Sequence, residues 1–107
     1  MELTNESITR VLREHGGILK KFKVKKIGLF GSYSRDEQSD RSDIDLLVEF
    51  DLSDFDENFT GYFDNYLDLL ETLKRILKRD VDLVTNDMIS PYIEPYILND
   101  VRYLETA

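Results

Sequence analysis

Two aspartates, Asp43 and Asp45, flank Ile44 near the start of a predicted strand in this 107-residue chain. Because side chains alternate across a strand, both carboxylates point to one side of it while Ile44 points into the core. Like charges held this close repel each other, and a bound cation relieves the repulsion. Magnesium prefers hard oxygen ligands and leaves positions open for substrate phosphates. The pattern therefore indicates a metal site, although an Asp-x-Asp pair alone also occurs in ordinary surface turns.

The dipeptide Gly31-Ser32 adds a second kind of site. It follows the apolar run Ile27-Gly28-Leu29-Phe30, which predicts a buried strand that turns sharply into a loop. Glycine lets the backbone come close to a phosphate, and serine offers a hydroxyl and an amide as donors. An ordinary strand-to-loop turn is the alternative interpretation. The loop is not of the Walker type, because the chain contains no Gly-Lys-Ser/Thr run.

Asp82 is the third acidic candidate. It lies in a predicted strand between Val81 and Leu83, whose side chains face the opposite way. A buried carboxylate without a partner would be unfavourable, and a neighbouring strand that carries metal-bound Asp43 and Asp45 would remove that penalty. A solvent-facing acid on an edge strand is the alternative.

Helices are predicted from capping residues and helical periodicity. The first begins at Thr4 or Asn5, and Gly16-Gly17 ends it near His15, a polar residue that suits the last turn. The last opens at Ser90-Pro91, is distorted by Pro95 and leaves an extended or helical tail over residues 101–104. The most regular covers residues 62–78. Its apolar positions at helical spacing are Phe63, Tyr66, Leu67, Leu70, Leu73 and Leu77.

Strands are predicted over residues 27–30, 44–50 and 81–85. A polar loop over residues 33–42 separates the first two. Residues 51–61, rich in aspartate, form a connection or the approach to the long helix. The strands therefore carry or adjoin every acidic candidate and the glycine.

Length and composition predict one globular domain over residues 1–107. The chain holds 41% hydrophobic residues, enough for one core, and is too short for a catalytic domain plus a separate acceptor-binding domain. It has no cysteine, which excludes disulfides and thiolate metal sites. No membrane-spanning apolar run and no signal peptide are present in the sequence, so we expect cytoplasmic residence and no membrane partner.

The net charge is −8 and is unevenly spread. Residues 1–26 carry seven Lys/Arg against three Asp/Glu, and the remainder carries seven against nineteen. This balance argues against direct nucleic-acid binding. The lysines of residues 20–26 are interpreted as a solvated helix end and strand approach, with a partner-binding patch as the alternative. An acidic chain that handles a polyanion such as ATP requires divalent cations.

Taken together, these residues resemble a known family. Gly31-Ser32, ten further residues and then Asp43-Ile44-Asp45, with a strand acid at Asp82, are similar to the nucleotidyltransferase superfamily of DNA polymerase β. The resemblance runs over roughly residues 24–85. Residues 31–35, 42–46 and 80–84 resemble most closely the minimal nucleotidyltransferase (MNT) proteins, antitoxins that are paired with HEPN-domain toxins.

The resemblance implies an α+β fold, with a small mixed β-sheet flanked by helices. It also implies ATP as substrate, two Mg²⁺ ions, and transfer of AMP to a tyrosine of a HEPN ribonuclease, which neutralises that toxin. By position, Asp43 and Asp45 would hold the metals, and Asp82 would bind the catalytic metal and help deprotonate the hydroxyl. Ser32 and the Gly31 backbone would hold the phosphates.

Arg35 would add charge stabilisation or contact the partner. Many relatives have Ala and Gly on either side of this arginine, whereas this chain has Ser34 and Asp36, a departure that could reshape the loop.

A different class of function is the alternative: an antitoxin that neutralises its HEPN toxin by binding alone. Residues 55–66 and the aromatic side chains of Tyr92, Tyr96 and Tyr103 could form that contact, although core packing explains most aromatics at helical spacing equally well. The three intact carboxylates favour the enzyme. Nucleotide preference, acceptor residue and stoichiometry do not follow from the sequence.

Overall fold

A computed structural model describes residues 3–39, 41–58 and 60–104, in which a four-stranded sheet has the order β3-β2-β1-β4. The strands are β1 (Val24–Phe30), β2 (Ile44–Phe50), β3 (Val81–Thr85) and β4 (Arg102–Leu104). The α-helices are α1 (Asn5–Glu14), α2 (Gly16–Lys21), α3 (Tyr62–Leu77) and α4 (Glu94–Asp100). Central β1 pairs antiparallel with β2 and β4, and β2 pairs parallel with β3. The expected α+β fold with a mixed sheet and helices is confirmed.

The hydrophobic core lies between the helices and one face of the sheet. In β2 the alternate residues Ile44, Leu46, Val48 and Phe50 are all buried and belong to one cluster with residues of α1, α2 and α3. Asp45 and Glu49, which are only partly buried, point to the opposite face because side chains alternate along the strand. The core face therefore fixes which side of the sheet receives the acidic residues.

The N-terminal helix has the expected cap. Thr4 accepts a hydrogen bond from the amide of Ser7, and the Ser7 hydroxyl accepts one from the amide of Thr4. The α1 helix ends at His15, whose ring Nδ1 donates to the carbonyl oxygen of Val11 over 2.7 Å. The predicted end of the first helix near His15 is confirmed, but the short helix α2 that follows was not predicted. Both glycines begin α2, and the strand that follows starts at Val24 rather than Ile27.

The long helix occurs where it was predicted, but its buried stripe differs. Leu69, Leu73 and Leu77, at four-residue spacing, are buried together with Thr72. Phe63 and Leu67, which also fit a helical period, are 65% and 39% exposed. Two apolar stripes fit this sequence, and contact with the sheet decides which one is buried.

The C-terminal segment differs most from the secondary structure predicted from the sequence. The last helix begins at Glu94 and not at Ser90-Pro91, and Pro95 lies in its first turn, where a missing amide hydrogen is tolerated. The tail is extended: β4 lies beside β1, with Tyr103 opposite Gly28. An added Cβ at Gly28 would lie 2.6 Å from Cγ2 of Val101, so the lack of a side chain at Gly28 leaves room for the C-terminal strand. Within the described part of the chain, no helix has the length and apolar character needed to cross a membrane.

Candidate functional site

The structure brings Asp45 and Asp82 side by side. They are direct partners in the parallel pairing of β2 with β3. Asp82 is exposed while its neighbours Val81 and Leu83 are buried, so its carboxylate lies on the same face of the sheet as that of Asp45. Asp43 is exposed and precedes β2 by one residue. The predicted neighbourhood of the three acids is therefore present.

Gly31 closes the site from the side of β1. Phe30 is paired with Asp45, so the chain turns at Gly31 directly beside that carboxylate. Gly31 has a φ of +76°, in the left-handed region, and an added Cβ would overlap Oδ2 of Asp45 and lie 3.0 Å from its Cγ. A side chain at position 31 is excluded on both counts. Glycine here allows the backbone to lie close to the Asp45 carboxylate, while the predicted approach to a phosphate stays a prediction.

The loop after Gly31 is a compact, hydrogen-bonded turn. The amides of Ser34 and Glu37 donate to the carbonyl oxygens of Gly31 and Ser32 over 3.1 and 2.9 Å. The hydroxyl of Ser34, a residue that is 2% exposed, also donates to the Gly31 carbonyl over 2.8 Å. Tyr33 is 1% exposed and anchors the loop in the core. Ser34 therefore stabilises the turn next to partly buried Ser32 instead of disrupting it.

Asp36 is the loop residue that was expected, with Ser34, to reshape the loop. Its φ is 57°, which is the left-handed conformation that aspartate tolerates better than most residues. Its carboxylate accepts a hydrogen bond from Nδ2 of Asn5 over 3.0 Å. That hydrogen bond links the start of α1 to the loop. It also engages the Asp36 carboxylate in a contact within the chain.

Arg35 is held by two carboxylates. Its Nε donates to Oε2 of Glu37 over 3.1 Å, and its Nη1 donates to Oδ2 of Asp100 at the end of α4. Both bonds raise the pKa of the Arg35 guanidinium above its ordinary value. The side chain is 43% exposed. Burial and the neighbouring acids raise the pKa of Asp45, and the positive charge of Arg35 opposes part of that rise. The two residues therefore share one electrostatic environment. Asp100 is a neighbour of the site that sequence reasoning missed, since only the tertiary fold brings it there.

The carboxylates of Asp43, Asp45 and Asp82 repel one another. Burial, and then the charges of Asp82 and Asp43, raise the pKa of Asp45 from 3.8 to about 6. Among the described residues, no three His, Cys, Asp or Glu side chains converge closely enough to form a metal-binding cluster. Asp45 and Asp82, which lie on one face, nevertheless offer the carboxylate oxygens that a hard divalent cation prefers, and a cation would relieve the repulsion among the acids.

A cavity of about 280 Å³ lies at the other end of β2, away from the acidic residues, and is lined among others by Phe50, Tyr62 and Thr85. None of the predicted site residues lines it.

Known proteins resemble this chain over the region that contains the site residues. The sequence profile described as a nucleotidyltransferase domain matches residues 12–104. A candidate protein adenylyltransferase of Methanocaldococcus jannaschii is 48% identical over 103 residues, which cover 94% of this chain and 98% of that protein. The protein adenylyltransferase MntA of Thermococcus cleftensis is 35% identical, with coverage of 95% and 97%.

Solved structures share the fold. A structure described as a candidate minimal nucleotidyltransferase superposes with a TM-score of 0.73 at 25% identity, covering 94% of this chain and 96% of the other. A toxin–antitoxin complex with AMP-PNP, an ATP analogue, gives a TM-score of 0.62 at 29% identity, covering 96% and 73%. The architecture, the sequence profile and these relatives agree, and the chain belongs to the nucleotidyltransferase domain family.

Proposed function

We propose that this chain is an antitoxin that transfers AMP from ATP to a tyrosine hydroxyl of a HEPN-domain ribonuclease and so neutralises it. The observation that carries the proposal is the pairing of Asp45 with Asp82 on one face of the sheet, backed by Gly31. Relatives named as protein adenylyltransferases support a protein acceptor. The structural neighbour that is a toxin–antitoxin complex with AMP-PNP supports a toxin partner and ATP.

The HEPN identity of the partner rests on the resemblance of residues 31–35, 42–46 and 80–84 to MNT antitoxins. In this proposal residues 1–107 act as a single domain in the cytoplasm, where ATP and reduced proteins occur together. Neither nucleic acid nor membrane is a partner, in line with the net charge of −8.

The reaction divides among the residues as follows. Asp43, Asp45 and Asp82 would hold two Mg²⁺ ions, which would supply the positive charge that neutralises the triphosphate and favours departure of pyrophosphate. Asp82, the exposed member of the paired acids, assists removal of the tyrosine proton. The tyrosine oxygen forms a bond to the α-phosphorus, the bond from that phosphorus to the β-phosphate oxygen breaks, and pyrophosphate leaves.

Gly31 and Ser32 hold the phosphates through the turn that Tyr33 and Ser34 keep in place. Arg35 reaches the developing charge only if it leaves Glu37 or Asp100. Its pairing with Asp100 makes partner contact the better supported of its two predicted roles.

The direct test uses ATP labelled on the α-phosphate, Mg²⁺ and a purified HEPN-domain protein as the acceptor. Label should appear on the HEPN protein and should fall on the order of 100-fold or more with Asp43→Asn or Asp45→Asn, because metal binding supplies several kcal/mol. Asp64→Asn, an exposed acid on α3, serves as the control and should label normally.

Absence of label with the unmodified chain, or unchanged label with both aspartate variants, would show that the proposed mechanism is wrong. Survival of cells that carry the toxin and the Asp45→Asn variant would establish the binding-only antitoxin instead.

A further inference from the structure

The helix α4 is attached to the protein by very little of its surface. None of its seven residues, all of which the structure describes, is buried. Large apolar side chains are instead exposed along it and the turn before it. We call these four residues the α4 surface: Tyr92 (87% exposed), Ile93 (50%), Tyr96 (75%) and Leu98 (49%). A helix this short gains stability chiefly by packing an apolar face against another surface. The exposed apolar side chains of α4 are therefore suited to contact with another molecule.

The fold places α4 at the edge of the candidate active site. Antiparallel pairing sets Arg102, the first residue of β4, opposite Leu29 near the end of β1. The end of α4 is therefore close to the turn at Gly31. Asp100, the last residue of α4, contacts Arg35 of the same loop. The helix α4 therefore borders the loop that follows Gly31.

The charge of the segment selects the kind of partner. Residues 86–101 carry three acids, Asp87, Glu94 and Asp100, and no lysine or arginine. A second copy of a chain with a net charge of −8 is a poor match for this segment. A partner with apolar side chains bordered by Lys or Arg is complementary to it.

We propose that the α4 surface is the docking site for the acceptor protein, which covers Tyr92, Ile93, Tyr96 and Leu98 with an apolar patch rimmed by basic residues. This inference rests on the proposed function and adds to it the surface by which the acceptor is recognised. The Arg35–Asp100 contact joins that surface to the phosphate-binding loop, so acceptor and nucleotide meet at one edge of the sheet.

The test replaces exposed apolar residues on each of two helices. The variant Ile93→Ser/Tyr96→Ser removes the centre of the α4 surface. The control Leu67→Ser removes an exposed apolar residue of α3 that lies outside residues 55–66. The start of α3 lies at the far end of β2, where Tyr62 contacts Phe50 with ring centroids 5.4 Å apart. Because the replaced side chains are largely exposed, all variants should fold, and thermal melting verifies this.

In the α4 variant, the affinity for the HEPN-domain protein should fall at least about tenfold and the KM for labelling it should rise by a similar factor. The affinity for ATP should stay within about twofold. The α3 control should match the unmodified chain. A charge pair completes the design: Glu94→Lys should slow association with a basic partner, and Glu71→Lys, an exposed acid on α3, should not.

Equal binding and KM for the α4 variant and the unmodified chain would overturn the docking site while leaving the proposed function intact. An unmodified chain that neither binds nor labels the HEPN protein would overturn the proposed function, and the docking site with it. A dimer of the unmodified chain in light scattering that becomes a monomer in the α4 variant would assign this surface to a second copy and reject an acceptor there.

Discussion

Gly31 lies with its Cα against the carboxylate of Asp45, so that a side chain at position 31 would occupy the space that Oδ2 holds. The contact joins the end of β1 to the start of β2, whose residues Phe30 and Asp45 are paired. It explains why glycine and the first acid of the paired set belong to one structural unit although 13 intervening residues separate them. The backbone proposed to bind phosphate and the carboxylate proposed to bind metal are thereby held in a fixed relation.

Replacement of Gly31 by alanine should abolish AMP transfer, because the methyl group displaces the Asp45 carboxylate. The left-handed φ adds a backbone penalty of about 1–2 kcal/mol. Gly61→Ala is the matched control: Gly61 has a φ of +79°, and no described atom beyond its own chain neighbours lies within 4 Å of an added Cβ. Gly31→Ala should lose more stability than Gly61→Ala in denaturant titrations, because the clash with Asp45 adds to the shared backbone penalty, and only Gly31→Ala should lose labelling activity. Equal activity in the two would refute the steric argument.

Stability should depend on pH through Asp45. Its pKa is raised from 3.8 to about 6 in the folded chain by burial and by the charges of Asp82 and Asp43. The folded state thus holds the proton more tightly than the unfolded state, and its free energy of unfolding falls as pH rises from about 4 through about 6. Asp45→Asn removes this ionisation. Without metal, the variant should melt at a higher temperature than the unmodified chain at pH 8, and the difference should shrink towards pH 4.

Added Mg²⁺ provides the counterpart of this prediction. At pH 8 it should raise the melting temperature of the unmodified chain more than that of Asp45→Asn, because the cation relieves the same repulsion. A melting difference that is identical at pH 4 and pH 8 would contradict the electrostatic explanation.

Gly28→Ala should loosen the C-terminal strand. The added Cβ would lie 2.6 Å from Cγ2 of Val101, 3.0 Å from Cδ1 of Tyr103 and 3.2 Å from the carbonyl oxygen of Arg102. Overpacking of this kind destabilises by about 1–3 kcal/mol. Combination with Val101→Ala removes the nearest clash, so the double variant should be more stable than the sum of the single effects predicts. Gly17→Ala is the control and should not destabilise, because among the described residues no atom outside its own helix backbone and chain neighbours lies within 4 Å of an added Cβ. Strict additivity would argue against the contact.

The buried stripe of α3 can be tested with two leucines. Leu69 is fully buried, whereas Leu67 is 39% exposed. Leu69→Ala should lower the free energy of unfolding by about 2–5 kcal/mol, because it leaves a cavity in the core. Leu67→Ala should lower it by less than about 1 kcal/mol. Chemical denaturation of both variants measures the difference, and a reversed order would show that the stripe predicted from periodicity is the buried one after all.

Local patterns predicted most elements correctly. Residues 44–50 and 81–85 form strands as expected, because short apolar runs with acids at alternate positions suit a sheet with one buried face. Capping at Thr4 and the end of α1 at His15 also followed from local chemistry. The failures lie where two local signals compete. Gly16-Gly17 can end a helix or begin one, and Ser90-Pro91 is a plausible helix start that Pro95 displaces by several residues.

The sequence by itself determined the chemical character of the site, since residue types and the two-residue spacing of Asp43 and Asp45 suffice to put two carboxylates on one side of a strand. Only the tertiary structure decided which groups meet there. Asp82 reaches Asp45 because β2 and β3, separated in sequence by α3, pair in parallel. Asp100 reaches Arg35 because β4 folds back onto β1 beside Gly28. Contacts between residues so far apart in the chain depend on packing of the whole sheet, which no local periodicity encodes.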